Sequence, residues 1–360
     1  EDVVDSALKW WSSLPDGKPA FLFLHVYDVH YTYDPPAPYD TLFDRAPERD
    51  DPRYKNYFYF QKKKNRLSPE QFAHQIAQYD ESIRYVNDQF ERLQAAANAS
   101  GRNVRWVVTA DHGEEFGERG TWGHAHTLYA EQLHVPLIMS GDGLPNGQQV
   151  DDEVGNHDVA PTIMRWVEGA EPFETDGVDL NPLLAGENLD SRPFPAETTR
   201  FETNRVGLYE DGLRLEWDLK RRKVQLYATR EDPKESKNLA KQRPEDVKRL
   251  QARLEEVLGK PWEARLEGTV TTTGVVLADG RHAELRVAPG DRFLVLPYDA
   301  EVRFVPTSGE AQGPWAAVGG EQPAENAGLS YHGQSSVTGL ELDEATRRSL
   351  EALGYMQAEE

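Results

Sequence analysis

A long amphipathic helix set among short apolar runs is the feature that most constrains the fold of this chain. Apolar residues recur at steps of three and four over residues 72–93, and Ser68 followed by proline is typical of a helix start. Three runs are almost continuously apolar, as in strands buried on both faces of a parallel sheet: 20–30, 104–110 and 134–141. This order predicts an α/β architecture with a largely parallel sheet and flanking helices.

The pattern changes in the second half of the chain. Residues 205–232 form short alternating segments with Asp211-Gly212 at a turn, which predicts an antiparallel hairpin set, and a charged helix follows. Four parts are therefore predicted: an α/β core over 1–196, a small antiparallel sheet with a helix over 197–260, a β-rich extension of unknown role over 261–340, and a C-terminal helix over 341–360.

Composition excludes several classes of function. The 62 acidic and 40 basic residues give a net charge of -22, which argues against nucleic acid or an anionic membrane as a partner. The sequence has no cysteine, so disulfides, thiolate nucleophiles and zinc-cysteine sites are excluded. No apolar run approaches the ~18 residues of a membrane-spanning helix. The oligomeric state stays open.

Polar residues follow the 104–110 run directly. Because ligands bind beyond the carboxyl ends of strands in open α/β sheets, Asp111 and His112 lie where a site is expected. A carboxylate beside an imidazole suits a divalent metal, and Gly113 allows the backbone to approach closely. The alternative is an aspartate that caps the next turn and a histidine that is merely exposed.

Further histidines have two interpretations each. His30 ends the 20–30 run and is either a packed, hydrogen-bonded side chain or part of a site, while His25 inside the run is interpreted as a core histidine. His124 and His126 follow Gly123 and suit metal ligands, acid catalysts or donors to an oxyanion. The ends of two buried strands could bring these groups together.

Several blocks resemble those of one known family, in the same order along the chain: "FLFLHVYDVHYTYDPP", "YDESIRYVNDQFERL", "VVTADHGEEFGERG", "GHAHTLYAEQLHVPLIMSG", "HDVAPTIM" and "GVDLNPLL". They look like blocks of the sulfatase family, within the alkaline-phosphatase-like superfamily. The resemblance covers residues 1 to about 258, and the terminal "SLEALGY" also resembles the end of many bacterial sulfatases.

The resemblance implies a role for each of these residues. It makes Asp111 and His112 ligands of one divalent metal ion. Many sulfatases have Asn at the second place and hold calcium, which is the ion expected here. Histidine at that place is found in bacterial sulfatases and in related phosphoester and phosphonate hydrolases, so manganese or zinc stays open. It places His30 against the sulfate oxygens or the leaving group. It places His124, or alternatively His126, at the ester oxygen.

The same resemblance raises a question about the nucleophile. The family uses formylglycine, made from Cys, or a Ser or Thr, and no segment of this sequence resembles that block. The chain is therefore expected to be the C-terminal portion of a longer enzyme, with a sheet incomplete at its N-terminus and no activity as this fragment alone.

Three functions follow from the resemblance. The first is a bacterial sulfuric ester hydrolase acting on a small-molecule or carbohydrate sulfate ester. The second is a phosphotransferase or phosphodiesterase of the same superfamily, such as a phosphoethanolamine-transferase-like enzyme, and the third is a non-catalytic binding relative. A periplasmic or secreted location is expected, with a cytoplasmic one left open.

Overall fold

The computed structural model describes residues 2–44, 68–171, 173–198 and 205–258, and then the backbone of six short strands between 262 and 317. The helices are α1 (Asp2–Ser12), α2 (Pro69–Ala99), α3 (Ala130–Leu133), α4 (Val159–Met164), α5 (Asn181–Leu184) and α6 (Pro244–Leu258). The strands are β1 (Arg105–Thr109), β2 (Glu115–Phe116), β3 (Trp122–Gly123), β4 (Leu137–Gly141), β5 (Phe194–Thr198), β6 (Arg205–Glu210), β7 (Leu213–Asp218), β8 (Lys223–Ala228), β9 (Trp262–Arg265), β10 (Gly274–Ala278), β11 (Ala283–Val287), β12 (Arg292–Val295), β13 (Val302–Pro306) and β14 (Ala316–Ala317).

The start of α2 lies where the sequence predicts it. Ser68 caps the helix through a reciprocal pair of hydrogen bonds, in which its hydroxyl accepts from the Gln71 backbone and the Gln71 side chain accepts from the Ser68 backbone. At the other end, the Ser100 backbone closes the last turn. The predicted helix is confirmed, and local residues specify both of its ends.

The face that α2 buries differs in part from the prediction. Several of its most buried side chains are polar, whereas Ile83 is 45% exposed. The buried carboxylate of Glu81 accepts hydrogen bonds from the backbone N–H groups of Phe43 and Asp44, at 3.0 and 3.3 Å. Buried polar groups are tolerated where they find such partners, so this face of the helix is fixed by hydrogen bonds as well as by apolar packing.

The strand pairing next to the site is antiparallel, which corrects the prediction of a parallel sheet for this part of the chain. β1 and β4 pair with Arg105 opposite Gly141 and Thr109 opposite Leu137. The connection over residues 110–136 contains the β2–β3 hairpin and α3, and it returns the chain to the end of the sheet where β1 stopped. Without a crossover to the other end, β4 can only run back along β1.

The predicted strand over residues 20–30 is wrong. The segment has no strand assignment, and the side chains of Phe21 and Phe23 are 69% and 78% exposed. His25 is exposed as well, so its interpretation as a core histidine is also wrong. Within the described part of the chain no strand lies alongside this run to pair with its backbone, and an apolar sequence alone does not make a strand.

Four antiparallel strands in the order β5-β6-β7-β8 form the second unit of structure, as predicted. Asp211 and Gly212 join β6 to β7 with φ angles of 56° and 70°, the left-handed conformation that a tight hairpin turn requires. Leucines of the sheet pack against Leu250 and Leu254 of α6. β5 crosses the predicted boundary between residues 196 and 197, and the division into four parts stays a prediction.

The strands beyond residue 261 form two antiparallel sheets, in the orders β11-β10-β13 and β12-β9-β14, which agrees with a β-rich extension. The predicted helix over 341–360 lies outside the described residues. Among the helices that the structure describes, none combines the length and the apolar character needed to cross a bilayer.

Candidate active site

Three histidines that lie far apart in sequence have adjacent rings. His30 follows a turn closed by its own N–H, His112 follows β1, and His124 follows β3. The rings of His112 and His124 are stacked with centroids 3.9 Å apart, and the His30 ring meets that of His124 edge-on at 5.1 Å. The structure therefore brings together three of the five residues that the sequence singled out, and Asp111 is adjacent to them.

Each ring of this cluster is oriented through its Nδ1 atom. His30 Nδ1 lies 2.7 Å from the Tyr31 carbonyl, and His112 Nδ1 lies 2.9 Å from the Gly113 carbonyl. His124 Nδ1 lies 3.2 Å from a carboxylate oxygen of Glu114. Because these oxygens can only accept, we assign the hydrogen to Nδ1 in all three rings, which leaves Nε2 for chemistry.

Glu114 is the group that fixes His124. Its side chain is 6% exposed, and it accepts hydrogen bonds from the Tyr33 hydroxyl at 2.9 Å and from His124. Tyr33 is itself held in a buried aromatic cluster with Trp122 and Phe116. The arrangement is a carboxylate–imidazole pair on a rigid support, which orients the imidazole through its Nδ1 atom.

Burial affects the pKa of His30. Desolvation lowers the pKa of His30 below its usual value, and the nearby His124 and His112 rings act in the same direction. The hydrogen bond to Tyr31 and the Glu114 charge oppose this shift in pKa. The neutral form of His30 is therefore favoured at neutral pH.

Asp111 has an exposed carboxylate on a fixed backbone. Its side chain is 69% exposed, and Oδ1 accepts from the His112 backbone N–H at 3.0 Å. Asn156 fixes the residues before it, since its amide donates to the Ala110 carbonyl and accepts from the Thr109 hydroxyl, both at 2.8 Å. The Asp111 backbone is thus held while its carboxylate faces solvent.

The donors expected for a metal fit in kind but are few. Asp111 Oδ2 and His112 Nε2 lie 3.7 Å apart, and the Nδ1 bond of His112 to a carbonyl is the second interaction usual for a metal-binding histidine. Among the described residues, no group of three or more His, Asp or Glu side chains is arranged to hold a metal ion. Asp111 and His112 therefore supply two donors of suitable chemistry for a divalent cation.

His126 is oriented away from the cluster. Its side chain is 7% exposed, Nε2 lies 3.1 Å from Glu115 Oε2, and Nδ1 donates to the His124 carbonyl at 2.8 Å. Burial raises the pKa of Glu115, but hydrogen bonds from His126 and Thr121 outweigh it and lower the pKa to about 2. His126 is placed to support the loop, and His124 is placed at the cluster.

A comparison with known proteins gives this cluster its context. Residues 1–170 match the sulfatase family model. This segment belongs to the sulfatase family. All of Asp111, His112, His30, His124 and His126 lie inside it.

Curated relatives support the same assignment for the sulfatase segment. The delta 4,5-hexuronate-2-O-sulfatase of Bacteroides thetaiotaomicron is 29% identical over 183 residues, which are 48% of this chain and 38% of that protein. The low-salt glycan biosynthesis sulfotransferase Agl7 of Haloferax volcanii is 41% identical over 78 residues, which are 21% of this chain and 19% of that protein. The chain thus spans well under half the length of either relative.

A solved structure extends the likeness in fold. The phosphonate monoester hydrolase of Silicibacter pomeroyi has a TM-score of 0.57 and 24% identity, and the match covers 71% of this chain and 60% of that chain. The covered part is longer than the sulfatase segment itself. The predicted alkaline-phosphatase-like α/β fold is confirmed.

Sequence reasoning missed two acidic residues beside the histidines. Glu114 and Glu115 were given no role from the sequence, although each has its own imidazole partner. A pair of adjacent acids before a two-histidine loop was an available signal.

Proposed function

We propose that this chain forms part of the active site of a metal-dependent hydrolase that cleaves sulfate esters. The observation that carries the proposal is the cluster of His30, His112 and His124, whose rings converge with Nδ1 engaged and Nε2 left for chemistry. That the cluster lies within the sulfatase segment supports the choice of sulfate. Because the chain covers 38% of the hexuronate sulfatase, the activity of the whole protein is part of the proposal.

We assign His124 to the leaving group. In its doubly protonated form the ring would donate the Nε2 hydrogen to the ester oxygen as the S–O bond breaks and sulfur bonds to the oxygen of the attacking nucleophile, so that the alcohol departs neutral. Glu114, at 3.2 Å from Nδ1, compensates the positive charge of that form and restricts rotation of the ring. Stacking against His112 at 3.9 Å restricts it further.

We assign His30 to the anion. Desolvation lowers the pKa of His30 in the absence of a ligand. An anionic ester placed against Nε2 would favour the protonated ring by Coulomb attraction, and the ring could then donate to a sulfate oxygen. Binding of the anion and uptake of a proton by His30 would therefore be coupled.

Asp111 and His112 are the residues that would hold a divalent ion. Such an ion, calcium by preference for oxygen donors or manganese or zinc, would act as a Lewis acid on the ester. The chain's own contribution is to fix the two donors, through Asn156 before Asp111 and through the Gly113 carbonyl on His112 Nδ1. Further donors would come from elsewhere in the protein.

A sulfated sugar is the substrate class we favour. The hexuronate-2-O-sulfatase matches 48% of this chain, and its name specifies a sugar sulfate. The net charge of -22 does not attract an anionic ester from a distance, so binding would depend on the local cluster.

A phosphate or phosphonate ester is the second candidate. One observation favours it: position 112 is histidine, which the sequence resemblance links to phosphoester and phosphonate hydrolases as well as to bacterial sulfatases. Assays of the full-length protein on matched aryl sulfate and aryl phosphate substrates, with calcium, manganese or zinc, separate the two. Faster turnover of the phosphate would overturn the sulfatase proposal.

Metal binding provides a second test. Asp111→Asn in the full-length protein should lose bound metal and lower kcat by several orders of magnitude, because a carboxylate ligand is replaced by a weaker neutral one. Asp142→Asn, an exposed aspartate after β4, is the matched control and should keep both. Metal content measured at the wild-type level in Asp111→Asn would contradict the assignment.

A further inference from the structure

The backbone between the two loop histidines has an unusual conformation. Ala125 has a φ angle of 66°, in the left-handed region that residues with a side chain rarely adopt. It directly follows His124, so its conformation sets the direction in which the loop leaves the cluster. Such a backbone persists only where its surroundings hold it in place.

Two hydrogen bonds hold the carbonyls on either side of this turn. The His124 carbonyl accepts from His126 Nδ1 at 2.8 Å, within the same loop. The Ala125 carbonyl accepts from the hydroxyl of Thr198 at 2.7 Å, and Thr198 is the last residue of β5 in the four-stranded sheet. One of the two supports therefore comes from a different unit of the structure, beyond the sulfatase segment.

The same sheet contacts the rest of the loop at close intervals. The Tyr209 hydroxyl donates to the Leu128 carbonyl at 3.4 Å, and the hydroxyls of Tyr129 and Tyr227 lie 3.1 Å apart. In the segment that follows β8, the Glu235 carboxylate accepts from the Ala130 N–H at 2.9 Å. The loop that carries His124 thus lies along the sheet. Among these contacts, the one from Thr198 is made to Ala125, the loop residue next to His124.

We infer that Thr198 is a positioning residue that fixes His124 through the Ala125 turn, so that the four-stranded sheet contributes to the site without touching the ester. The inference rests on the role proposed for His124. Loss of the hydroxyl would release the Ala125 carbonyl and allow the turn to relax, which would move the imidazole relative to Glu114 and His112.

Thr198→Val removes the hydroxyl and keeps the shape of the side chain, and Thr198→Ser keeps the hydroxyl. In the full-length protein, we expect the valine variant to lower kcat on a substrate with a poor leaving group by about 10- to 100-fold, with KM nearly unchanged, and the serine variant to restore most of it. Thr229→Val, at the end of the opposite edge strand β8, is the control and should be as active as wild type.

A double-mutant cycle tests whether Thr198 acts through His124. In a His124→Ala background, Thr198→Val should cause no further loss, because the group that it positions is absent. An equal loss in both backgrounds, or wild-type kcat for Thr198→Val, would overturn the inference. If the valine variant does not fold, Thr198→Ala replaces it. If neither variant folds, Thr198 is needed for folding itself, and the positioning role is rejected.

Nitrogen-15 spectroscopy of the imidazoles in the 360-residue chain separates this inference from the proposed function. The Nδ1–H signal of His124, bonded to Glu114, should change in Thr198→Val and return in Thr198→Ser. If no ester is turned over by any variant or by the wild type, the proposed function fails, and this signal alone decides whether Thr198 positions His124. An unchanged signal in the valine variant would reject the inference.

Discussion

Two carboxylate–imidazole pairs formed by neighbouring residues are both buried but differ in their hydrogen-bond partners. Glu114 pairs with His124 at the histidine cluster, and Glu115 pairs with His126 inside the loop. The first pair engages one nitrogen of its imidazole, whereas in the second both ring nitrogens of His126 have partners. We therefore expect the first pair to support the reaction and the second to support the loop.

The difference follows from the partners of each carboxylate. Glu115 is fully buried and accepts from the Thr121 backbone and hydroxyl as well as from His126. Folding favours the ionised form of Glu115, because its pKa is lowered to about 2 in the folded chain. Glu114 accepts only from Tyr33 and His124 in the interactions described, and it supports a ring that faces the cluster.

The largest effect is expected at His124. In the full-length protein, His124→Ala should lower kcat by about 10²–10⁴-fold for esters with poor leaving groups and by less for good ones, because a proton donor matters most to a basic leaving oxygen. A series of aryl esters measures this dependence. His134→Ala, an exposed histidine of the same region, is the control, and an equal loss across the series would remove His124 from the leaving group.

The second prediction concerns stability instead of activity. The pKa of Glu115 is lowered from 4.5 to about 2, which corresponds to about 3 kcal/mol of stability above pH ~4.5 that is lost as the pH falls toward 2. Glu115→Gln should therefore lower the free energy of unfolding at pH 7 by about 2–3 kcal/mol and flatten its dependence on pH in that window. Denaturant unfolding at several pH values measures both.

Glu114→Gln is the matched variant for that experiment. It should leave the acid dependence of unfolding in place while lowering kcat, because Glu114 acts on the ring that faces the cluster. Equal losses of stability in Glu114→Gln and Glu115→Gln, with the same dependence on pH, would remove the distinction between the two pairs.

Local signals in the sequence account for what could be predicted. Ser68 and Gln71 specify the start of α2, and Asp211-Gly212 specifies the first hairpin of the sheet, each within a few residues. These features depend on neighbours in the chain. The convergence of His30 with His112 was also expected, but the reason for it was wrong, because residues 20–30 form no strand that could share a sheet edge with β1.

Features that depend on distant partners could not be predicted. Residues 20–30 are as apolar as a buried strand, but strand formation requires a neighbouring strand, which sequence composition does not supply. The partners of Glu114 and Glu115 become distinct only in the folded chain, where Glu114 precedes β2 and Glu115 is its first residue. Thr198 reaches Ala125 across 73 residues, which no local pattern reveals.

The third prediction concerns the backbone that precedes both carboxylates. A Cβ atom on Gly113 would lie 2.1 Å from the Glu131 carbonyl oxygen, and the Gly113 N–H donates to the Gln132 carbonyl at 2.8 Å. Gly113→Ala should therefore separate the two backbone segments and lower the free energy of unfolding by about 1–3 kcal/mol. Gly147→Ala, where no atom lies near the added carbon but φ is 69°, measures the cost of backbone strain alone. Equal effects at the two sites would show that close approach at Gly113 is unimportant.

The smallest effects are expected from removing single hydroxyls. These variants test most directly whether the two carboxylates have separate roles. Tyr33→Phe removes one of the hydrogen bonds to Glu114, and Thr121→Val removes the hydroxyl that lies 2.6 Å from Glu115. A hydrogen bond to a charged group contributes about 1.5 kcal/mol at the low end of its range, so each variant should have an effect of roughly 10-fold on the equilibrium or rate that its carboxylate controls, since other donors to that carboxylate remain. Tyr33→Phe should lower kcat with little change in stability, and Thr121→Val should lower stability with little change in kcat. Tyr79→Phe, in the same aromatic cluster as Tyr33, controls for loss of a phenol. If both hydroxyls changed kcat and stability in the same proportion, the two carboxylates would form one network rather than two pairs with separate roles.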